Sequence, residues 1–292
     1  MKKCVPIFML FILGACSTAA PPAPTPTLMA TATIRPTSTI HPSPTATITP
    51  TPVPNGPCDN PLLPLGTGNQ WYYLATTETG DFLYALKSLE RSDARNIGVM
   101  VEFTDQARGD SVLERVVCQD GAIDNFPLFV LNMLLSDYLD KLFNTYHDRG
   151  AYVPAYGTFA ENDWVMDWET EYLTEDRVSI KDPAGSSNLL VLESSRIRLS
   201  FQMDGLREAV SVPAGKFSRA IRVFNRITLG VTITQPTGGT GGTLTLNTTQ
   251  WYEPYVGLIR TQVDSALINT GGGEFSIPYQ SVVELVEFIP GQ

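Results

Sequence analysis

A period of two runs through most of the chain after residue 58, and it restricts the fold more than any other feature. In Ile197-Arg198-Leu199-Ser200-Phe201 the apolar residues fall on one side, and Arg198 and Ser200 on the other. Successive side chains of an extended chain point to opposite faces, so this pattern suits a half-buried antiparallel strand. Similar stretches, rich in β-branched and aromatic residues, occupy 71–74, 96–103, 112–118, 189–201, 217–234, 244–252, 256–268 and 274–289. Glycine and proline punctuate them. Asp120-Gly121 and Asp204-Gly205 are short hairpin signals, and Pro213 with Gly215 turns the chain between 206–212 and 217–224. The glycine runs at 238–242 and 271–273 read as hairpin tips. Neither is followed by a helical pattern, so neither is a phosphate-cradling loop. The expected class is mainly β and antiparallel.

One stretch breaks the alternation. Phe129, Val130, Met133, Leu134, Tyr138 and Leu142 recur at spacings of three and four, which predicts a helical segment over 126–143. Asp137, Asp140 and Lys141 gather in its second half, so the first half should be buried nearly all round. The structural role is a plug on the open side of the sheet. The functional role is a mobile lid over an apolar ligand groove lined by Phe129, Met133, Leu134 and Tyr138.

Residues 17–57 read differently. Of these 41 residues, 11 are Pro and 11 are Thr. Proline fixes φ and removes amide donors, so neither helix nor sheet propagates here. A polyproline-like tether of this length reaches on the order of 100 Å. It is a spacer whose Thr-Pro repeats could also carry O-linked sugars. The remainder, 58–292, is long enough for a single folded domain with a sizeable core.

Before the tether stands a short export signal. Lys2 and Lys3 give a positive start, and 5–13 is apolar apart from Pro6. The segment 1–15 is too short to span a bilayer permanently. It ends in Leu13-Gly14-Ala15-Cys16, which resembles the lipobox of bacterial lipoproteins. That resemblance implies that Cys16 is diacylated, becomes the first residue of the mature chain, and attaches it to a bacterial membrane at the cell surface or the periplasmic face. Ser17 after Cys16 resembles the outer-membrane sorting pattern, while the Thr-Pro tether suits a single-membrane cell equally well.

Removal of 1–15 leaves 18 Lys and Arg against 30 Asp and Glu, a net charge of −12. Such a surplus of carboxylates argues against a nucleic-acid partner and against polybasic attachment to anionic lipid. The acyl chains are then the anchor, and the membrane is the first partner. With Cys4 lost and Cys16 lipidated, Cys58 and Cys118 remain. In an exported domain they are expected to form a disulfide, the alternative being two unpaired buried thiols.

Candidates for chemistry are few. Of the two histidines, His41 lies in the tether and His147 in the domain. A two-histidine metal site would require a partner chain, and nucleophile schemes have one imidazole to use. His147 next to Asp148 imitates part of a triad, but chain neighbours rarely point at each other. No catalytic motif, metal site or cofactor is expected. Carboxylates do cluster at Glu161, Asp163, Asp167, Glu169, Glu171, Glu175 and Asp176 around Trp164 and Trp168. Two acids near sugar-stacking aromatics are what a polysaccharide-acting enzyme uses. Alternation through 164–172 instead puts Trp164, Met166, Trp168, Thr170 and Tyr172 on one face and the acids on the other.

Three fragments carry a family likeness: 64–73 (PLGTGNQWYY), 212–217 (VPAGKF) and 251–259 (WYEPYVGLI). Together they resemble a group of bacterial exported proteins broadly similar to the LolA and LolB lipoprotein carriers. The resemblance implies one strongly curved antiparallel sheet, a half-barrel, with the helical segment covering one side, and it implies no catalytic residue. Trp71 and Trp251 are expected as large core anchors. The function expected is a lipid-anchored, non-catalytic binding or scaffolding domain of the envelope, with an apolar ligand or an envelope protein as partner. An enzyme using acids near Trp164 and Trp168, or an adhesive surface module, is the alternative.

Overall fold

In the computed structural model the alternating stretches become strands of an antiparallel sheet. The structure describes residues 58–89, 98–139, 142, 144–174, 177–181, 189–192, 195–235 and 238–291. The export signal, Cys16, the tether, Asp140, Lys141, Glu175 and Asp176 lie outside the described residues.

Strands β1 (Asp59–Asn60), β2 (Leu63–Pro64), β3 (Gln70–Thr77), β4 (Asp81–Ser88), β5 (Gly98–Asp105), β6 (Ser111–Gln119) and β7 (Ala122–Ile123) precede helix α1 (Phe129–Leu134). Strand β8 (Tyr146–Arg149) and helix α2 (Tyr156–Glu161) follow. Next come β9 (Val165–Thr174), β10 (Val178–Lys181), β11 (Leu189–Leu192), β12 (Ser195–Val212) and β13 (Gly215–Gln235). The last are β14 (Gly238–Glu253), β15 (Gly257–Thr270), β16 (Gly273–Ile277) and β17 (Ser281–Ile289).

The main sheet runs β7-β6-β5-β4-β3-β17-β15-β14-β13-β12-β9-β8, with β11 also on β13, β10 on β11, and β16 on β15. Among the described residues its ends, β7 and β8, do not pair as strands, though an isolated bridge joins Ile123 of β7 to Val153 just beyond β8. The sheet is curved. The Phe129 ring stacks on Phe103 of β5 at 4.5 Å, and three residues earlier Phe126 O accepts a hydrogen bond from Tyr172 Oη of β9 at 2.7 Å. Strands near opposite ends of the sheet thus meet one segment from both sides, which is compatible with a half-barrel.

Several local signals are overridden by strand pairing. Asp204-Gly205 is not a hairpin: β12 continues through it, pairing with β9 as far as Asp204 and with β13 up to Met203 and again from Arg207. A register shift between Met203 and Arg207 absorbs the irregularity as a bulge. The glycines at 238–242 are not a tip but the first residues of β14, paired to 231–235. Gly242 lies where β15 approaches closely, since a Cβ there would stand 2.8 Å from Asn269 O. The turns at Asp120-Gly121, Pro213-Ala214 and Gly271-Gly272 form as expected.

Helix α1 is shorter than the predicted segment. All six of its residues are buried, as the first-half pattern requires. After Leu134 the Ser136 hydroxyl bonds back to Met133 O, and the chain leaves the helix through turns at Leu135–Tyr138. A serine hydroxyl that captures a nearby carbonyl competes with the helical ladder. Trp164 also departs from expectation. It precedes β9 with φ at 62° and stacks on Phe159 of α2 at 5.4 Å, so it ends that helix rather than starting the strand.

The first and third motif fragments meet directly, and the second docks on β17, which pairs with β3. Trp71 Nε1 donates to Val256 O at 2.6 Å, and Tyr73 Oη to Leu258 O at 3.0 Å. Gly257, between them, has φ of 98° and lies against the Trp71 indole. Ala214 N donates to Leu285 O at 3.0 Å, which docks the 212–217 turn on β17. Trp251, however, is not in the core. Tyr252 is in phase with the inward residues Leu244, Leu246, Thr248 and Gln250, so its neighbour must face outward. There the Trp251 indole is half-buried, with Nε1 donating to Glu208 Oε2 at 2.8 Å and the Arg260 guanidinium 5.4 Å from the ring.

Candidate functional site

The inner face of the sheet, closed by the segment that contains α1, is the candidate site. Phe129 and Met133 line a cavity of about 20 Å³ with Phe126, Tyr73, Tyr152 and Tyr252, room for roughly one water molecule. Leu134 is fully buried beside it, and its carbonyl accepts a hydrogen bond from Tyr279 Oη. Tyr138 lies half-buried with its ring edge-on to Tyr279 at 5.2 Å. All four residues proposed from sequence therefore sit in this segment, and two of them line the cavity.

Polar contacts hold the segment at several points: Leu128 N donates to Thr145 Oγ1, Arg108 Nη1 to Leu139 O and Thr77 Oγ1 to Asp137 Oδ1, and three tyrosine hydroxyls add to these. Tyr84 Oη donates to Ser136 Oγ at 2.9 Å, Tyr172 Oη to Phe126 O, and Tyr279 Oη to Leu134 O. Burial raises the hydroxyls of Tyr73, Tyr152, Tyr172 and Tyr252 well above the ordinary tyrosine range, so all four stay protonated and able to donate.

A second group was missed by sequence reasoning. Asn225 on β13, Thr248 and Gln250 on β14, and Thr261 on β15 point inward and are buried. Asn225 stands opposite Thr248, and Gln250 opposite Thr261. The signal was present in β14, whose inward positions change from Leu244 and Leu246 to Thr248, Gln250 and Tyr252.

Cys58 and Cys118 form the expected disulfide, with Cα atoms 5.2 Å apart, joining the start of the described chain to β6. His147 lies edge-on to Tyr172, and its Nε2 contacts Gly150 O. Asp148 turns instead to Arg196 Nη1 at 2.8 Å, so the two neighbours serve different partners.

The acids of β9 lie across the sheet from the aromatics. Met166, Trp168, Thr170 and Tyr172 follow the inward phase, with Trp168 stacked on Phe201 at 4.8 Å. Asp167 and Glu169 are exposed on the other face. Glu171, on that face too, is only 3% exposed because Arg149, Arg196 and Arg198 enclose it, at 2.5 Å from Arg149 and 2.9 Å from Arg198. At β9 the acids and Trp168 do not converge on a common cleft. Among the described residues, no group of three His, Cys, Asp or Glu side chains is placed to hold a metal ion.

Hydrogen bonds from Arg149 and Arg196 hold the Glu171 carboxyl down at about 2. A depressed folded pKa means the contribution is complete above the ordinary glutamate range and fades as pH falls toward 2. Urea midpoints measured from pH 7 to pH 2.5 are expected to fall more steeply for the parent than for Glu171→Gln. Parallel slopes would remove Glu171 from this role.

No family model matches the chain, and no curated protein matches it. Two solved structures align along most of their length. One, from Bacteroides fragilis, is a protein inferred to be exported and described as having a YmcC-like fold. It aligns at a TM-score of 0.45 and 15% identity, covering 77% of this chain and 97% of its own. The other, from Parabacteroides distasonis, is inferred to be a lipoprotein. It aligns at 0.38 and 14%, covering 79% and 99%. At these values the likeness transfers nothing to individual residues.

Proposed function

We propose that the chain is a lipid-anchored protein of the bacterial cell envelope whose β-domain binds or scaffolds and does not catalyse. It is held by lipidated Cys16 at the cell surface or the periplasmic face. Its interior accepts an apolar ligand, such as an acyl chain or the lipid end of a lipoprotein partner. One observation carries this reading: the helix closing the inner face is only six residues long, and no side chain caps its N-terminus. A helix that short does not support itself in water, so packing on the sheet maintains it. An apolar ligand of similar bulk can take over those contacts when the segment withdraws. The lipobox-like run at 13–16 supports the anchor, and a disulfide accords with an oxidising, extracytoplasmic compartment.

Full-length protein taken from its membrane is expected to carry a non-covalent amphiphile, detected by native mass spectrometry and by solvent extraction. Addition of a long-chain acyl ligand is expected to speed amide exchange in 126–139 while β13–β15 stay protected. If no amphiphile is found and exchange does not change, ligand holding is abandoned.

A further inference from the structure

We infer that the interior selects an uncharged amphiphile, one whose head offers hydroxyl or ester oxygens to the polar row formed by Asn225, Gln250 and Thr261. This rests on the ligand-holding reading above and adds the chemical class of the ligand. The row is built on three neighbouring strands and is closed to solvent: Asn225 is 3% exposed, and Gln250 and Thr261 are 0%. Both amide atoms of Asn225, Gln250 Nε2 and Thr261 Oγ1 have no hydrogen-bond partner. Buried polar atoms are nearly always paired, so four together on one inner face call for a partner with donors and acceptors of its own.

The row is continuous with the cavity. Tyr252, which lines it, donates from Oη to Gln250 Oε1 at 2.8 Å. Gln250 stands directly opposite Thr261 in the ladder, and Asn225 opposite Thr248, whose hydroxyl donates to Asn225 O at 3.2 Å. A head group at the row would therefore direct its chain toward Phe126, Phe129 and Met133. Polar floor and apolar plug together describe an amphiphile rather than a plain hydrocarbon.

Charge decides what kind of head. Among the described residues, the buried ionisable acids are Asp105 and Glu171, and no lysine, arginine or histidine is buried. Asp105 is committed to Arg108 and to two turn amides, and Glu171 to the arginines of the solvent face. A carboxylate or phosphate drawn to the row would leave water with no counter-charge to meet it, which is strongly unfavourable. Amide and hydroxyl groups suit a neutral glycerol ester without that cost.

The test compares two probes that differ by one phosphate: a photoreactive monoacylglycerol, and the same acyl glycerol carrying a phosphate. Full-length protein in phosphatidylcholine nanodiscs is irradiated with each, and the labelled peptides are mapped. The neutral probe is expected to label 126–138 and β14, at least about ten-fold more than the phosphate probe. In Asn225→Leu and Gln250→Leu the preference should vanish while the melting temperature holds or rises, because an unpaired buried polar group is removed. Interior labelling by the phosphate probe at equal or greater yield overturns the inference but leaves ligand holding intact. Failure of both probes to label the interior overturns both. Unchanged preference in both folded leucine variants shows that the row is not the head site, and the inference falls.

Discussion

Replacement of Trp71 by alanine is expected to lower folding stability by about 3–5 kcal/mol, near the upper end for a single substitution. The side chain is 1% exposed and packs on Phe288 at 5.5 Å. Its Nε1 also satisfies Val256 O, so truncation opens a cavity and orphans a buried carbonyl at once. The damage reaches beyond β3, because the indole lies against Gly257, where β14 turns into β15. Urea unfolding at neutral pH is the direct measurement. Trp71→Phe separates the two effects: it retains most of the ring volume and gives up the hydrogen bond, at roughly 1–3 kcal/mol. A loss under about 1 kcal/mol for Trp71→Ala would mean that the contact between the first and third fragments does not hold the sheet together.

Reduction of the Cys58–Cys118 disulfide is expected to lower stability by about 4 kcal/mol, the chain-entropy value for a closed loop of this length. The bridge spans 60 residues and both sulfurs are buried, so release frees the chain that carries β1 to β6. In a domain of this size that corresponds to a fall in melting temperature on the order of 10 °C. Cys118→Ser should reproduce the shift without reductant, and reductant should then add nothing further. A melting temperature indifferent to reductant, with two thiols titratable after denaturation, would show that the bridge is absent from the protein.

What could be read beforehand was what depends on period and parity. Ile197, Leu199 and Phe201 announced both a strand and its inward face, and each is buried. The all-round burial of 129–134 followed from where the charges were missing. Features set by partners far along the chain were not legible. Asp204-Gly205 has the local chemistry of a hairpin, yet the β13 ladder resumes at Arg207 and carries β12 past it through a bulge. The glycines at 238–242 have the chemistry of a loop, yet the opposing 231–235 turns them into strand. Trp251 was misassigned for a different reason: bulk suggested burial, whereas the phase set by Leu244 and Leu246 had already given the inward place to Tyr252. The same phase, followed two residues back, would have exposed the polar row.

The disulfide also governs how the domain carries load. A pull arriving along the chain at residue 58 meets the two-residue pairing of β1 with β2 first, which hydrogen bonds alone would surrender easily. The covalent link passes the tension instead to β6, inside the main sheet. It also locks away the 60-residue loop, roughly 200 Å of contour that cannot pay out while the sulfurs are joined. Under shear at a surface, an oxidised domain should behave as a short, stiff link, and a reduced one as a slack line.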